Sequence, residues 1–184
     1  MHQVLSACED RMKKTLAGLK DDFASFRTGR ASASLFDKIR IDYYGNKSPL
    51  NQVANISVPE ARLIVIQPWD KNLIGEIEKA IRSSELSLNP SNDGKVIRIA
   101  IPPLTEDRRK ELAKQAKTQT EQNRVAVRNI RRDGNDELKK LLKDGKLTED
   151  EETKHGEELQ KLTDGYIAKL NLALEEKENE IFER

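Results

Sequence analysis

The residues with the strongest chemical signature are basic. Lys110, Lys114, Lys117, Arg124, Arg128, Arg131, Arg132 and Lys139 recur along one stretch of the 184-residue chain. At about 100° per residue of an α-helix they fall in an arc roughly 100° wide, with Glu111, Asp133, Asp136 and Glu137 mostly outside it. Glu121 is the one acid inside the arc. Lysines and arginines aligned on a rigid rod match a run of phosphates; lysine acts as a point charge, while a guanidinium pairs bidentately with phosphate or stacks on a base. The chemistry predicted for this stretch is binding of structured RNA. A charged helix in a bundle also has a solvated face whose bases serve solubility and i,i+4 pairing, but few acids share this arc to pair with.

Nothing beside it points to covalent chemistry. The segment Gly45, Asn46, Lys47, Ser48 lacks the upstream glycine and the Gly-Lys pair of a phosphate-cradling P-loop. His2 and His155 are far apart in sequence and have no cysteine or carboxylate cluster at metal-ligand spacing, so neither a metal site nor a Ser/His/Asp arrangement is predicted. Cys8 is the single cysteine, which excludes an internal disulfide and fits a reducing compartment. It falls on an apolar stripe and reads as a small core residue.

Composition states what must hold the basic stretch. Charged residues make up 35% of the chain and aromatics only 4%, a profile of long solvated helices around a narrow apolar seam. The formal net charge is +1, so a basic surface requires segregation of charge onto one face. The longest apolar run, residues 63–66, is far short of the roughly 20 needed to cross a bilayer, and the first residues lack the apolar core of a secretory signal. A cytoplasmic protein with no membrane partner is expected.

Periodicity supplies the elements. Leu5, Cys8, Met12, Leu16, Leu19, Phe23 and Phe26 recur at three and four, predicting a helix that ends near Gly29. The period then changes to alternation at Ile39, Ile41 and Tyr43, followed by a Gly45-Asn46 turn. Further strands are predicted at 53–58, 62–67 and 96–101, with a short helix carrying Leu73, Ile77, Ala80 and Ile81 between them. Pro102 and Pro103 stop the last strand, and Thr105 can cap a helix with Glu106 and Asp107 in its first turn. Leu112, Ala116, Gln119, Asn123, Val127, Ile130, Gly134, Leu138 and Leu141 carry its near-heptad seam. Thr148 and Glu151 form a capping-box pattern that opens a last helix, striped by Leu159, Leu162, Tyr166, Leu170, Ala173 and Ile181.

Three amphipathic helices can bury one another. The predicted fold is α+β: a long three-helix bundle over residues 1–29 and 105–184 with a small β/α/β sandwich domain, 30–104, inserted. The two chain crossings, 29–33 and 102–104, would form a hinge, with Gly29, Ala31, Pro102 and Pro103 as its residues. A coiled-coil protein that binds another protein through the bundle is the competing reading; it predicts weak salt dependence, where phosphate binding predicts a steep one.

The segments FRTGRASASL at 26–35 and EQNRVAVRNIRRDGND at 121–136 resemble bacterial ribosome recycling factors. The likeness continues through YYG at 43–45, PL at 49–50, LNPSNDG at 88–94, PPLTEDRRK at 102–110 and LLKDGKLTEDE at 141–151, and so spans essentially the whole chain. The resemblance implies a three-helix bundle hinged to a β/α/β domain, and a factor that binds the post-termination ribosome. With elongation factor G and GTP it would split the ribosome into subunits, releasing mRNA and deacylated tRNA so that translation can restart. No cofactor and no catalytic residue are implied, since GTP is hydrolysed by elongation factor G. The implied contacts to large-subunit ribosomal RNA are Arg27 and Arg30 near the hinge and Arg128, Asn129, Arg131 and Arg132 on the basic stretch, where charge placement adds Lys110, Lys117 and Arg124. A monomer is expected. Alanine is expected where this chain has Gly134, a substitution that costs about 1 kcal/mol of helix stability.

Overall fold

A computed structural model describes residues 1–184, which form two compact units: one of Met1–Phe26 with Thr105–Arg184, the other of Arg27–Leu104. The first unit is helical. Helix α1 spans Gln3–Ala24, helix α3 Glu106–Lys143 and helix α4 Glu149–Phe182, with the short α2, Ile74–Arg82, in the second unit.

The three long helices bury their stripes against one another. Leu5, Cys8, Met12, Leu19 and Phe23 of α1 meet Ala116, Val127, Ile130 and Leu138 of α3 and Leu159, Tyr166, Leu170 and Ala173 of α4 in one core. Two hydroxyls are fully enclosed without penalty, because Thr120 donates to the carbonyl of Ala116 and Thr163 to that of Leu159, at 2.8 Å each. Lys177 also lies on the buried side of α4; its ammonium pairs with Glu180 at 3.0 Å and faces the Phe26 ring. Both helix starts are capped as their sequences predict. Thr105 accepts from the Arg108 amide, and Thr148 and Glu151 exchange the reciprocal bonds of a capping box.

Helix α1 stops earlier than its apolar stripe suggests. Ser25 caps it, its hydroxyl turning back to the Asp22 carbonyl at 2.6 Å, so Arg27, Thr28 and Gly29 are not helical. Phe26 continues the stripe because a tight turn, its amide bonded to the Phe23 carbonyl, returns the ring to the core at 5.5 Å from Phe23.

The second unit stacks two sheets around α2. Strands β1, Arg40–Tyr43, and β2, Asn46–Pro49, make a hairpin. Its turn residues are Tyr44 and Gly45, both at positive φ, so the turn falls one residue before the predicted Gly45-Asn46 and Asn46 pairs with Tyr43. Strands β3, Ala54–Glu60, β4, Leu63–Pro68, β5, Pro90–Asn92, and β6, Ile97–Ala100, form an antiparallel sheet ordered β3-β4-β6-β5. Ile64 and Ile66 of β4 and Ile97 and Ile99 of β6 project from one face onto Ile77 and Ile81 of α2, with Ile41 of β1 and Phe36 completing the core. Strands β2 and β5 had no alternating apolar signal: NKSP and PSN are held by their neighbours' hydrogen bonds.

Candidate nucleic-acid interface

The long seam of α3 fixes which way its bases point. With Val127, Ile130, Gly134 and Leu138 buried, Lys110, Lys114, Lys117, Arg128, Asn129, Arg132 and Lys139 are exposed. At about 1.5 Å per residue, the 38-residue helix presents them on a rod close to 57 Å long. Lys114, Lys117, Arg132 and Lys139 have no carboxylate partner, and Lys110 pairs only with the exposed Glu106 at 3.3 Å. Arg132 reaches the Asn129 amide oxygen at 3.4 Å and is otherwise solvated.

Arg124 and Arg131 behave differently. They are the two members of the arc nearest the seam, and both are half-buried against α4. The Nε of Arg124 donates to Asn171 at 2.8 Å, and Arg131 donates to Gln160 at 2.7 Å, which in turn donates to Asp164. The Arg131 Nε is buried without a partner. Gln160 and Asn171 were invisible to sequence reasoning, because spacing along one helix carries no information about which residues of another helix lie beside it.

Glu121 sits between arginines. One carboxylate oxygen accepts from Arg124 at 2.8 Å and the other faces Arg128 at 3.5 Å. The hydrogen bond from Arg124 holds the carboxyl below its ordinary range.

The residues expected at the chain crossings lie in the second unit. Arg27 and Arg30 are both exposed, and both terminal nitrogens of Arg27 donate to main-chain carbonyls, of Glu85 at 3.1 Å and Leu86 at 3.3 Å. Gly29 has a φ of +78° and its α-carbon faces Leu104; Ala31 donates to the Ala61 carbonyl at 2.7 Å. Pro102 and Pro103 are exposed. No group of three or more histidine, cysteine or acidic side chains is arranged to hold a metal ion, and no helix is long and apolar enough to cross a membrane. Cys8 is buried, its thiol pushed up by burial, in keeping with its place on the apolar stripe.

A discontinuous three-helix unit with one cation-lined helix, carrying a layered β/α/β unit between its first and second long helices, defines an α+β architecture. The family model described as "Ribosome recycling factor" matches residues 19–182. The chain is 63% identical over 183 residues to the ribosome-recycling factor of Treponema denticola, covering 100% of this chain and 99% of that protein. It is 56% identical over 181 residues to that of Geobacillus kaustophilus, covering 98% of each. A ribosome recycling factor structure determined in solution superposes with a TM-score of 0.76 at 45% identity over the full length of both chains. A second match, with a TM-score of 0.62 at 46% identity over 97% of each chain, comes from models of the T. thermophilus ribosome recycling factor and the E. coli elongation factor G bound to the E. coli post-termination complex. This chain belongs to the ribosome recycling factor family.

Proposed function

We propose that this protein binds the post-termination ribosome and, together with elongation factor G and GTP, splits it into subunits, releasing mRNA and deacylated tRNA. The observation that carries the reading is the end-to-end identity of 63% with a ribosome-recycling factor. Models of a related recycling factor and of elongation factor G bound to a post-termination complex support the choice of partner. The protein itself performs no covalent step; the GTPase is elongation factor G.

Large-subunit ribosomal RNA is the surface the basic flank of α3 engages. Lys110, Lys117, Arg128 and Arg132 supply charge to phosphates, Asn129 an amide, and Arg124 and Arg131 the seam edge of the same flank. Arg30 is an exposed contact from the second unit; Arg27 contributes through the nitrogen edges its two carbonyl bonds leave open. The two chain crossings act as a hinge, one crossing carrying Gly29 and Ala31 and the other Pro102 and Pro103. The protein works as a monomer in the cytoplasm.

Light scattering of post-termination ribosomes tests this. Adding the protein with elongation factor G and GTP lowers scattering as subunits separate. No fall with both factors present would reject the recycling reading.

A further inference from the structure

Glu121 is anomalous within the basic flank of α3. An acid beside a phosphate-binding surface repels the ligand, and the carboxylate itself is exposed, where ion pairs add little to stability. Neither the ligand nor the fold accounts for it directly. Its geometry does: Oε2 accepts from Nη1 of Arg124 at 2.8 Å, Oε1 faces Nη1 of Arg128 at 3.5 Å, and Arg124 is fixed from the other side through its Nε to Asn171 at 2.8 Å. One carboxylate thus ties together two guanidinium groups that would otherwise repel each other one helical turn apart. Arg124 is held at both ends, while Arg128, tied by one nitrogen, keeps its remaining N–H donors for solvent or a ligand.

We propose that Glu121 is a positioning residue for RNA binding: through a chain running Asn171, Arg124, Glu121, Arg128 it orders both arginines before the ribosome is met. The inference rests on the reading that this flank of α3 contacts ribosomal RNA. Freezing a long arginine side chain in advance removes an entropic cost from the binding step. A simple charge account makes the opposite prediction, because removing an acid from a cationic surface tightens phosphate binding.

The test uses the full-length protein and vacant bacterial 70S ribosomes, with affinity measured over a range of salt. Glu121→Ala is expected to bind roughly three- to tenfold more weakly than wild type, although its net charge is more positive. Its log-log salt slope stays close to that of wild type, because both arginines remain to meet phosphate and only their ordering in the free protein is lost. Glu121→Gln, which keeps the shape and one acceptor, falls between the two, and the circular dichroism of both variants matches wild type. Glu121→Ala binding as tightly as wild type or tighter would overturn the proposal. A second comparison adds Glu121→Ala to an Arg124→Ala/Arg128→Ala protein, where no further loss is expected; an undiminished further loss would also overturn it. If Arg124→Ala/Arg128→Ala itself bound like wild type, the RNA-contact reading of this flank would fail, and that failure is visible without the Glu121 variants.

Discussion

A Cβ atom placed on Gly134 would lie 2.7 Å from the sulfur of Cys8 and 2.8 Å from Cδ2 of Leu159. The glycine in the middle of α3 is therefore the point at which all three long helices close on one another, since Cys8 belongs to α1 and Leu159 to α4. Its helix-propensity cost, about 1 kcal/mol relative to alanine, is the counterpart of that close approach.

Gly134→Ala is accordingly expected to destabilise the helical unit. The propensity gain of about 1 kcal/mol is outweighed by overpacking, which costs about 1–3 kcal/mol in a filled core. Adding Cys8→Ala should recover part of the loss by removing one of the two clashing atoms. Urea denaturation of the four proteins in this cycle measures the coupling; a more stable Gly134→Ala single variant would contradict it.

Gly29→Ala should weaken the second unit. Its φ of +78° disfavours any side chain, and the added Cβ would come within 3.2 Å of the Leu104 backbone nitrogen. A loss of about 1–2 kcal/mol follows from the backbone conformation alone, read as a lower melting temperature.

Arg132→Ala and Arg131→Ala should separate binding from packing. Arg132 is exposed, so its truncation leaves stability within about 0.5 kcal/mol of wild type while ribosome affinity falls by about 1–3 kcal/mol if it makes a charged hydrogen bond to phosphate. Arg131 is half-buried against Gln160, so its truncation lowers thermal stability as well. Each lost phosphate contact reduces the log-log salt slope by about 1. Melting curves alongside salt-titrated binding check both.

Asp93 gives the β5–β6 connection an acid limit. The backbone amide of Val96, then Arg98, and then the amide of Lys95 hold its carboxyl far below the ordinary carboxylate range. A depressed folded-state pKa stabilises fully above the unfolded value of about 3.9 and loses that contribution as pH falls through the folded value. Wild type should therefore exceed Asp93→Asn in stability by a constant margin near neutrality, and the margin should shrink only below about pH 4. Denaturation of both proteins from pH 7 to pH 2 tests the sign; a margin that grows on acidification would contradict it.

Features set by repeated apolar periodicity and by helix-start caps were legible along the chain, although the end of α1 and the register of the β1–β2 turn were not. The stripes of α1, α3 and α4, the Thr105 cap, the Thr148 capping box and the alternating strands β1, β4 and β6 are repeated patterns in which each residue's neighbours along the chain decide its conformation. Charge segregation along α3 was legible for the same reason, because helical angle follows from residue number. Tertiary structure decided what depends on a second segment. Strands β2 and β5 exist only because β1 and β6 offer them hydrogen-bonding edges. Lys177 is buried because Glu180 and the Phe26 ring receive its ammonium. Gly134 became a close-packing requirement only once Cys8 and Leu159 met it. The basic arc likewise divided into exposed Arg128 and Arg132 and half-buried Arg124 and Arg131 only when α4 brought Asn171 and Gln160 alongside. Positions on a helix wheel fix directions in space, but which of those directions face solvent and which face a partner is settled by the packing of another helix.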